Sequence, residues 1–323
     1  MNYGLPYCGS KSRIAEWIMG FIPKCECFVD VFAGGCAITH AAIEYRKANR
    51  YIVNDISGVA QLFVDAVNGK YHNESRWISH EDFDRLKDED PYVACCWSFG
   101  NHKEKGYLYS REIEPYKKAC HYAIVFGEWE QLAQLCPEIC EFVKHRVQLC
   151  RNRHDRRVVF GQSAIMQLKR ISGGKAKHPV ITNNPLYASY YTNTSLQSLE
   201  RLQSLERLER LQRLEGLEGL ERLQRLEGLQ RQNKDYRELE IPKDAFIYCD
   251  PPYKDSGCDY NVEFNHDEFY NWCADAAKTN QILISEYNIN DPRFECVGEK
   301  EKLVSLASTK SMLKTERLYT VKK

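Results

Sequence analysis

The sequence has no net charge, no long apolar run and no Cys-x-x-Cys pair. Its 323 residues include 45 basic and 45 acidic side chains, which argues against a generally basic nucleic-acid-binding protein. No apolar run is long enough for a transmembrane helix, and no secretory signal pattern is present. No spacing matches a standard zinc finger. We therefore expect a cytoplasmic protein of one or two domains, with no membrane segment and no metal.

Cysteine, by contrast, is abundant, with 14 residues. Many of them stand beside hydrophobic residues, which is typical of buried, reduced thiols in a cytosolic protein. The Cys and His residues between positions 136 and 154 include potential metal ligands. However, Cys140, Val143, Val147 and Cys150 recur at helical spacing on one face. That pattern favours core packing over a zinc site.

The most informative stretch is 245–253, which reads Ala-Phe-Ile-Tyr-Cys-Asp-Pro-Pro-Tyr. Its first five residues predict a short buried strand. Pro251 and Pro252 have no N–H to donate, so the strand must end at Asp250. Ligands of open α/β sheets bind at the carboxyl ends of the strands. Asp250, the Pro251 carbonyl and the Tyr253 ring are therefore predicted to meet at a binding site.

This set of groups suits a planar base that carries an exocyclic amino group. The carboxylate and the carbonyl can each accept one N–H, and the aromatic ring can stack on the base. Accepting both protons localises the nitrogen lone pair for attack on an electrophile. A simple proline turn after a core strand would use the same residues, so the tetrapeptide alone leaves both interpretations open.

Residues 28–38 contain a second strand pattern, at about 28–32, which runs into Gly34-Gly35 and then into a helical pattern. Glycines at such a turn let a ligand approach the backbone closely. The spacing is not Gly-x-Gly-x-x-Gly, so a dinucleotide is not the expected ligand. A further strand pattern ends at Asp55, where a carboxylate suits ribose hydroxyls.

These motifs resemble those of S-adenosylmethionine-dependent DNA amino-methyltransferases, most closely the Dam-like (D12) adenine-N6 class. The resemblance is carried by Asp250–Tyr253 and by Phe32-Ala-Gly-Gly35. Residues 6–11 resemble the N-terminal cofactor motif of the family, with Tyr7 in place of the usual Trp and Ser for a second Gly. Residues 233–236 resemble its Asn-x-Asp-Phe segment.

The resemblance implies methyl transfer from S-adenosylmethionine to adenine N6 in DNA, with the base flipped out of the stack. The implied catalytic residues are Asp250, Pro251, Pro252 and Tyr253. The implied cofactor-binding residues are Tyr7, Lys11, Asp30, Phe32, Gly34, Gly35, Asp55, Asp235 and Asp250. Two alternatives remain: cytosine-N4 methylation by the same chemistry, and a non-catalytic DNA-binding or scaffold protein that uses a leucine repeat.

The expected fold is α/β: a doubly wound, Rossmann-like methyltransferase sheet with a mainly helical inserted DNA-recognition domain. We predict a catalytic domain from 1–69 and 233–323, and a target-recognition insertion over 70–195. Residues 196–232 form a Leu-x-x low-complexity repeat. A leucine at every third position fits neither an α-helical stripe nor a heptad, so no structure is predicted for the repeat.

Basic residues concentrate between positions 144 and 177, where ten basic residues accompany one acidic residue. Such a strip fits a DNA backbone, although a solvated surface would give the same pattern. DNA is the predicted partner, and the sequence identifies no restriction-enzyme partner. The predicted DNA-binding residues are Lys103, Lys105, Tyr107, Arg151, Arg153, Arg156, Arg157, Arg170, Lys175 and Lys177.

Overall fold

The computed structural model describes residues 3–5, 9–56, 58–71, 74–101, 103–171, 223, 228–253, 264–307 and 310–322. The chain divides into two compact units. The first unit comprises Met1–Lys70 and Leu220–Lys323, and the second comprises Tyr71–Gly219. The first change of unit falls at the predicted start of the insertion, whereas the second falls within the predicted 196–232 repeat and not at 195. The roles assigned to the two parts stay predictions.

A seven-stranded mixed sheet forms the centre of the first unit in the described residues. Its strands are β1 (Cys25–Asp30), β2 (Ala48–Asn54), β3 (Leu229–Gln232), β4 (Phe246–Cys249), β5 (Gln281–Glu286), β6 (Phe294–Ala307) and β7 (Lys310–Val321). Their order across the sheet is β3-β2-β1-β4-β5-β7-β6. Neighbours from β3 to β5 are parallel, whereas β7 is antiparallel to both β5 and β6. The predicted α/β class is confirmed, and the sheet is consistent with a methyltransferase fold.

Helices connect strands of the first unit and build most of the described part of the second. Those of the first unit are α1 (Ala15–Met19), α2 (Ala37–Glu44), α3 (Val59–Val67) and, late in the chain, α10 (His266–Ala276). Those of the second unit are α4 (His80–Leu86), α5 (Pro91–Cys96), α6 (Glu114–Val125), α7 (Glu130–Leu135), α8 (Pro137–Gln148) and α9 (Arg153–Ile171). In the described part of the chain, none of these helices has both the length and the hydrophobicity needed to cross a membrane.

The central strands are buried on both faces, as their nearly continuous apolar sequences predict. All four residues of β4 are buried. One face of the sheet contributes Val29, Ile247 and Ile284 to a cluster that includes Phe269 of α10. The covered sheet brings the ends of β1 and β4 side by side, because these strands are parallel neighbours.

Strand β3 is formed by the last residues of the leucine-repeat region. It pairs in parallel with β2, from Tyr51↔Leu229 to Asn54↔Gln232. Arg231 of β3 also donates a hydrogen bond to Gln61 Oε1 on α3, at 2.8 Å. The chain therefore rejoins the sheet before the predicted boundary at 233. The remainder of the repeat, Leu223 and Gly228 excepted, lies outside the described residues.

The N-terminal segment is bound to the turn that follows β1. The Leu5 N–H donates to the Gly35 carbonyl at 2.7 Å, and the Gly4 N–H donates to His40 Nδ1 at 2.8 Å. Gly4 has a φ of +68°, and a Cβ atom there would lie 2.4 Å from the Gly35 oxygen and 2.6 Å from the Ala37 nitrogen. Only glycine fits this close approach of two backbone segments.

The helical second unit has a core of its own. Cys140, Val143 and Val147 of α8 are buried in one cluster with Phe160 of α9. Their common face confirms the core packing predicted from their spacing, and Cys150 at the end of the pattern is half-buried. In the described ranges, no three His, Cys, Asp or Glu side chains converge as a set of metal ligands.

We predict that Gly4→Ala detaches the N-terminal segment, whereas Gly58→Ala does not. Both glycines have positive φ, but a Cβ atom on Gly58 meets nothing within 4 Å. The backbone conformation alone costs about 1–2 kcal/mol in either variant, and the clash at Gly4 adds about 1–3 kcal/mol. Hydrogen exchange at the Leu5 amide measures the difference. Equal protection of this amide in the two variants would contradict the proposed close fit.

Candidate active site

Asp250 lies immediately after β4, where the proline pair ends the strand as predicted. Lys11 Nζ forms an ion pair with Asp250 Oδ1 at 2.7 Å, although Lys11 is only 6% exposed. Burial disfavours the charged ammonium, but the carboxylates of Asp250 and Glu316 outweigh this effect and raise the pKa of Lys11. The sequence predicts Lys11 as a cofactor ligand, and the structure brings its ammonium against the predicted catalytic carboxylate.

The ring of Tyr253 is held by charged and aromatic neighbours. Its hydroxyl donates a hydrogen bond to Glu316 Oε1. The ammonium of Lys11 lies 4.6 Å from the centroid of the Tyr253 ring. The ring of Tyr287 packs edge-on against the Tyr253 ring, with 4.6 Å between the two centroids. Burial and the nearby carboxylates of Asp250 and Glu316 raise the pKa of Tyr253 well above its usual value. The phenol is therefore the donor in the hydrogen bond to Glu316.

Glu316 is the main residue of this site that the sequence analysis missed. It lies on β7, it is 0% exposed, and its Oε1 atom is 3.6 Å from Lys11 Nζ. Because β7 is antiparallel to β5, with Glu286 opposite Arg317, the residues near Glu316 lie at the carboxyl end of β5. One signal was available. Glu316 and the fully buried Leu318 are two residues apart on one strand, so a charge occupies an inward-facing position.

Asp30 is a buried carboxylate at the end of β1, 1% exposed. Its Oδ2 atom accepts a hydrogen bond from Thr39 Oγ1 at 2.7 Å, and Oδ1 has no hydrogen-bond partner among the described residues. Burial, together with repulsion from Asp250 and Asp55, raises the pKa of Asp30 to about 7, although the Thr39 hydroxyl acts against this. The site thus contains an acceptor that is ready to bind a cation or a hydroxyl group.

Asp55 and Asn54 hold the backbone at the end of β2. The Gly34 N–H donates to Asp55 Oδ2 at 2.8 Å, so this carboxylate fixes the glycine turn after β1. The Asn54 side chain donates to the carbonyls of Val31 and Lys234 at 3.0 and 3.1 Å, and accepts from the Lys234 N–H at 3.0 Å. Asp55 is predicted from the sequence as a ribose ligand, whereas the bridging role of Asn54 is seen only in the structure.

Phe32 and the segment before β4 meet in an aromatic cluster. The Phe32 ring lies 5.8 Å from the Tyr236 ring and 5.6 Å from the Phe269 ring, between centroids. Asp235 accepts from the Arg237 N–H at 3.0 Å and pairs with the Arg237 side chain at 2.7 Å. The side chain of Asp235 is 40% exposed. Its predicted contact with the cofactor would have to form beside this ion pair.

Three of the remaining predicted site residues lie in the described part of the chain, and one does not. Pro251 is buried and Pro252 is half-buried beside Asp250, and Gly35 accepts the N-terminal hydrogen bond described above. Tyr7 lies outside the described residues. The structure therefore brings together Lys11, Asp30, the glycine turn and the Asp250–Tyr253 motif within one unit.

Two predicted DNA-binding arginines have partners inside the helical unit. Arg153 donates to the Glu74 carbonyl at 2.9 Å, and Arg156 donates to the Ile124 carbonyl at 3.0 Å. The second contact satisfies a carbonyl in the last turn of α6, where helices leave acceptors unpaired. Arg151, by contrast, is exposed. Arg157 is half-buried, and three positions lie outside the described side chains: Arg170, Lys175 and Lys177.

The loop between α5 and α6 contains the other predicted DNA contacts. Lys103 forms an ion pair with Asp88 at 2.6 Å, and the Tyr107 hydroxyl donates to the Ile78 carbonyl at 2.5 Å. Lys105 is exposed. Of the predicted contacts in this loop, Lys105 is thus the one whose side chain is most available to an external phosphate.

Comparison with known families agrees with the motifs. Residues 7–125 match the family of D12 class N6 adenine-specific DNA methyltransferases. The match covers less than half of the chain, includes the N-terminal motif and the glycine turn, and extends into the helical unit. It does not reach Asp250, so the assignment of the catalytic strand rests on its sequence and geometry. No curated protein matches the chain.

We predict that Asp30→Asn stabilises the ligand-free protein more at high pH than at low pH. The pKa of Asp30 rises from 3.8 to about 7 on folding, so the unfolded chain loses this proton first and wild-type stability falls between these values. The advantage of the variant should grow by on the order of 2–3 kcal/mol between about pH 5 and about pH 8. Denaturant unfolding at both pH values measures it, and a pH-independent difference would contradict the assignment.

Proposed function

We propose that this chain, a member of the D12 class of N6 adenine-specific DNA methyltransferases, uses S-adenosylmethionine and the Asp250–Tyr253 pocket to methylate adenine N6 in DNA. The observation that carries the proposal is the buried ion pair between Lys11 and Asp250 at the carboxyl end of β4, next to the Tyr253 ring. The family match favours adenine over the cytosine alternative and an enzyme over a scaffold.

The residues around the glycine turn fit S-adenosylmethionine. Bound there, the cofactor supplies an electrophilic methyl group on a sulfonium sulfur. Asp30 Oδ1 is a buried acceptor without a partner among the described residues, and it suits the ammonium of the methionine part. Gly34 and Gly35 keep side chains away from the turn, and Asp55 lies at the adjacent strand end.

The charge of the site supports a cationic ligand. Lys11 contributes one positive charge, whereas Asp250 and Glu316 contribute two negative charges, so these three side chains sum to −1. The partly ionised Asp30 lies near Asp250 and makes the site more negative. Because a buried negative site favours a positive ligand, the sulfonium form would be preferred to the neutral product.

The Asp250–Tyr253 motif would position the target amino group. Adenine N6 is hidden in duplex DNA, so the base must be flipped out before it can enter the pocket. Asp250 and the Pro251 carbonyl would each accept one N6 proton, and the Tyr253 ring would stack on the base. Lys11 favours the ionised, accepting form of Asp250. Asp250 need not act as a strong base, since the proton can leave after methyl transfer.

Asp250→Asn should lower the rate of methyl transfer at least about 100-fold, because the amide has one acceptor oxygen instead of two and carries no negative charge. The assay measures labelled methyl transfer from S-adenosylmethionine to unmethylated mixed-sequence DNA, with digestion to nucleosides. Asp275→Asn is the matched control, since Asp275 of α10 is exposed and pairs with Lys278.

Label in N6-methyldeoxyadenosine that is lost only in Asp250→Asn supports both the reaction and the site. Label in N4-methyldeoxycytidine would change the base and keep the mechanism. A wild-type protein that binds S-adenosylmethionine but labels no DNA would contradict the proposed function, and a wild type that binds no cofactor would favour the scaffold alternative.

The exposed basic residues of the helical unit should contribute to DNA affinity. Lys105→Ala and Arg151→Ala should each weaken binding to all sequences alike and reduce the salt slope by about 1. Arg156→Ala should instead lower the stability of the helical unit, because Ile124 loses its hydrogen bond. Fluorescence anisotropy at several salt concentrations measures binding. Lys24→Ala is the control, since Lys24 is exposed at the amino end of β1, away from the site; an equal loss there would refute a specific role.

A further inference from the structure

Glu316 is a buried carboxylate with two partners in the proposed active site. Its Oε1 atom lies 3.6 Å from Lys11 Nζ and accepts the hydroxyl hydrogen bond of Tyr253. We propose that Glu316 is a positioning residue for methyl transfer: it orients the Tyr253 ring and draws the Lys11 ammonium away from Asp250 when the target amino group binds. The inference rests on the function proposed above.

The Lys11 ammonium lies between two carboxylates at unequal distances. It is 2.7 Å from Asp250 Oδ1 and 3.6 Å from Glu316 Oε1. In this position it competes with an incoming amino group that approaches Asp250 Oδ1. Lys11 is buried, so moving its charge to a site without an anion would be strongly unfavourable. Glu316 offers a second anion within reach of the Lys11 side chain, so the ammonium stays paired after a small shift of Nζ.

The same carboxylate determines how the Tyr253 ring is tilted. The ring is contacted by the Lys11 ammonium and by the edge of Tyr287, with an interplanar angle of 83° to the latter. The hydroxyl bond to Glu316 additionally holds the outer end of the ring. Because Tyr253 is the proposed stacking surface, the position of Glu316 sets the plane in which the base is held.

A purely structural role for Glu316 would have a different signature. As a counter-ion it would affect folding and leave the reaction of correctly folded molecules unchanged. As a positioning residue it should also alter the rate of the chemical step at saturating cofactor. The two roles therefore separate when the rate is normalised to the fraction of molecules that bind S-adenosylmethionine.

Glu316→Gln is the decisive variant, because the amide keeps the shape and can still accept from Tyr253 but has no charge. We expect the single-turnover rate of adenine methylation to fall roughly 10- to 100-fold, as for a modest misplacement of reacting groups. The rate is measured at saturating S-adenosylmethionine, because the loss of one negative charge from the site should also weaken binding of the cationic cofactor. Glu316→Asp, which keeps the charge, should recover part of the rate.

A second readout does not depend on activity. Nitrogen-15 NMR of labelled lysine follows the Lys11 ammonium through its titration. Both Asp250 and Glu316 raise the pKa of Lys11, so Glu316→Gln should lower it relative to wild type. The alkaline limb of the pH–rate profile should move in the same direction. Tyr253→Phe removes the hydrogen bond between the Tyr253 hydroxyl and residue 316. Its effect on the rate of methyl transfer should be smaller in the Glu316→Gln background than in wild type.

Glu295→Gln is the control, because Glu295 is an exposed residue of the neighbouring strand β6. It should match wild type in rate, cofactor affinity and Lys11 titration. A Glu316→Gln protein that methylates adenine as fast as wild type, per cofactor-binding molecule, overturns the inference and leaves the proposed function intact. A wild type that methylates no DNA overturns the proposed function itself, and the two failures are thus distinguished.

Discussion

A lysine ammonium that is buried at 6% exposure requires anionic partners, and much of the first unit depends on how Lys11 obtains them. Asp250 follows β4, Glu316 lies on β7, and Lys11 belongs to the N-terminal segment, so one ion cluster joins three parts of the chain. Removing one carboxylate from such a cluster is costly because the remaining charges stay buried. The need for neutralisation therefore couples the ends of the chain to the middle strand of the sheet.

The sheet topology places this cluster where ligands bind in open α/β sheets. β1 lies between β2 and β4. The chain adds β2 on one side of β1 and later adds β4 on the other side, so the strand order changes direction at β1. Connections diverge there to opposite faces and leave a crevice at the strand ends. Asp30 and Asp250 follow neighbouring strands into that crevice. The antiparallel β7 then brings its middle residues to the same edge, which is how Glu316 reaches Lys11 and Tyr253.

In the helical unit, a high number of basic residues does not by itself identify the residues that contact DNA. The basic run in the sequence favours DNA contact, but Arg153 and Arg156 donate to backbone carbonyls within the unit. An arginine can satisfy a helix end as well as a phosphate, because both present oxygen acceptors. The exposed Arg151 and Lys105 remain the better candidates for contacts with a nucleic acid.

The sequence by itself determined the local features: the buried strands, the end of β4 at the proline pair and the acids at the ends of β1 and β2. These follow from apolar patterning and from the missing proline N–H, which act over a few residues. Only the tertiary structure decided that Lys11 pairs with Asp250, that Glu316 holds Tyr253 and that the last repeat residues form β3. Those contacts join residues distant in sequence, and they depend on strand order and direction, which hydrophobic periodicity does not encode.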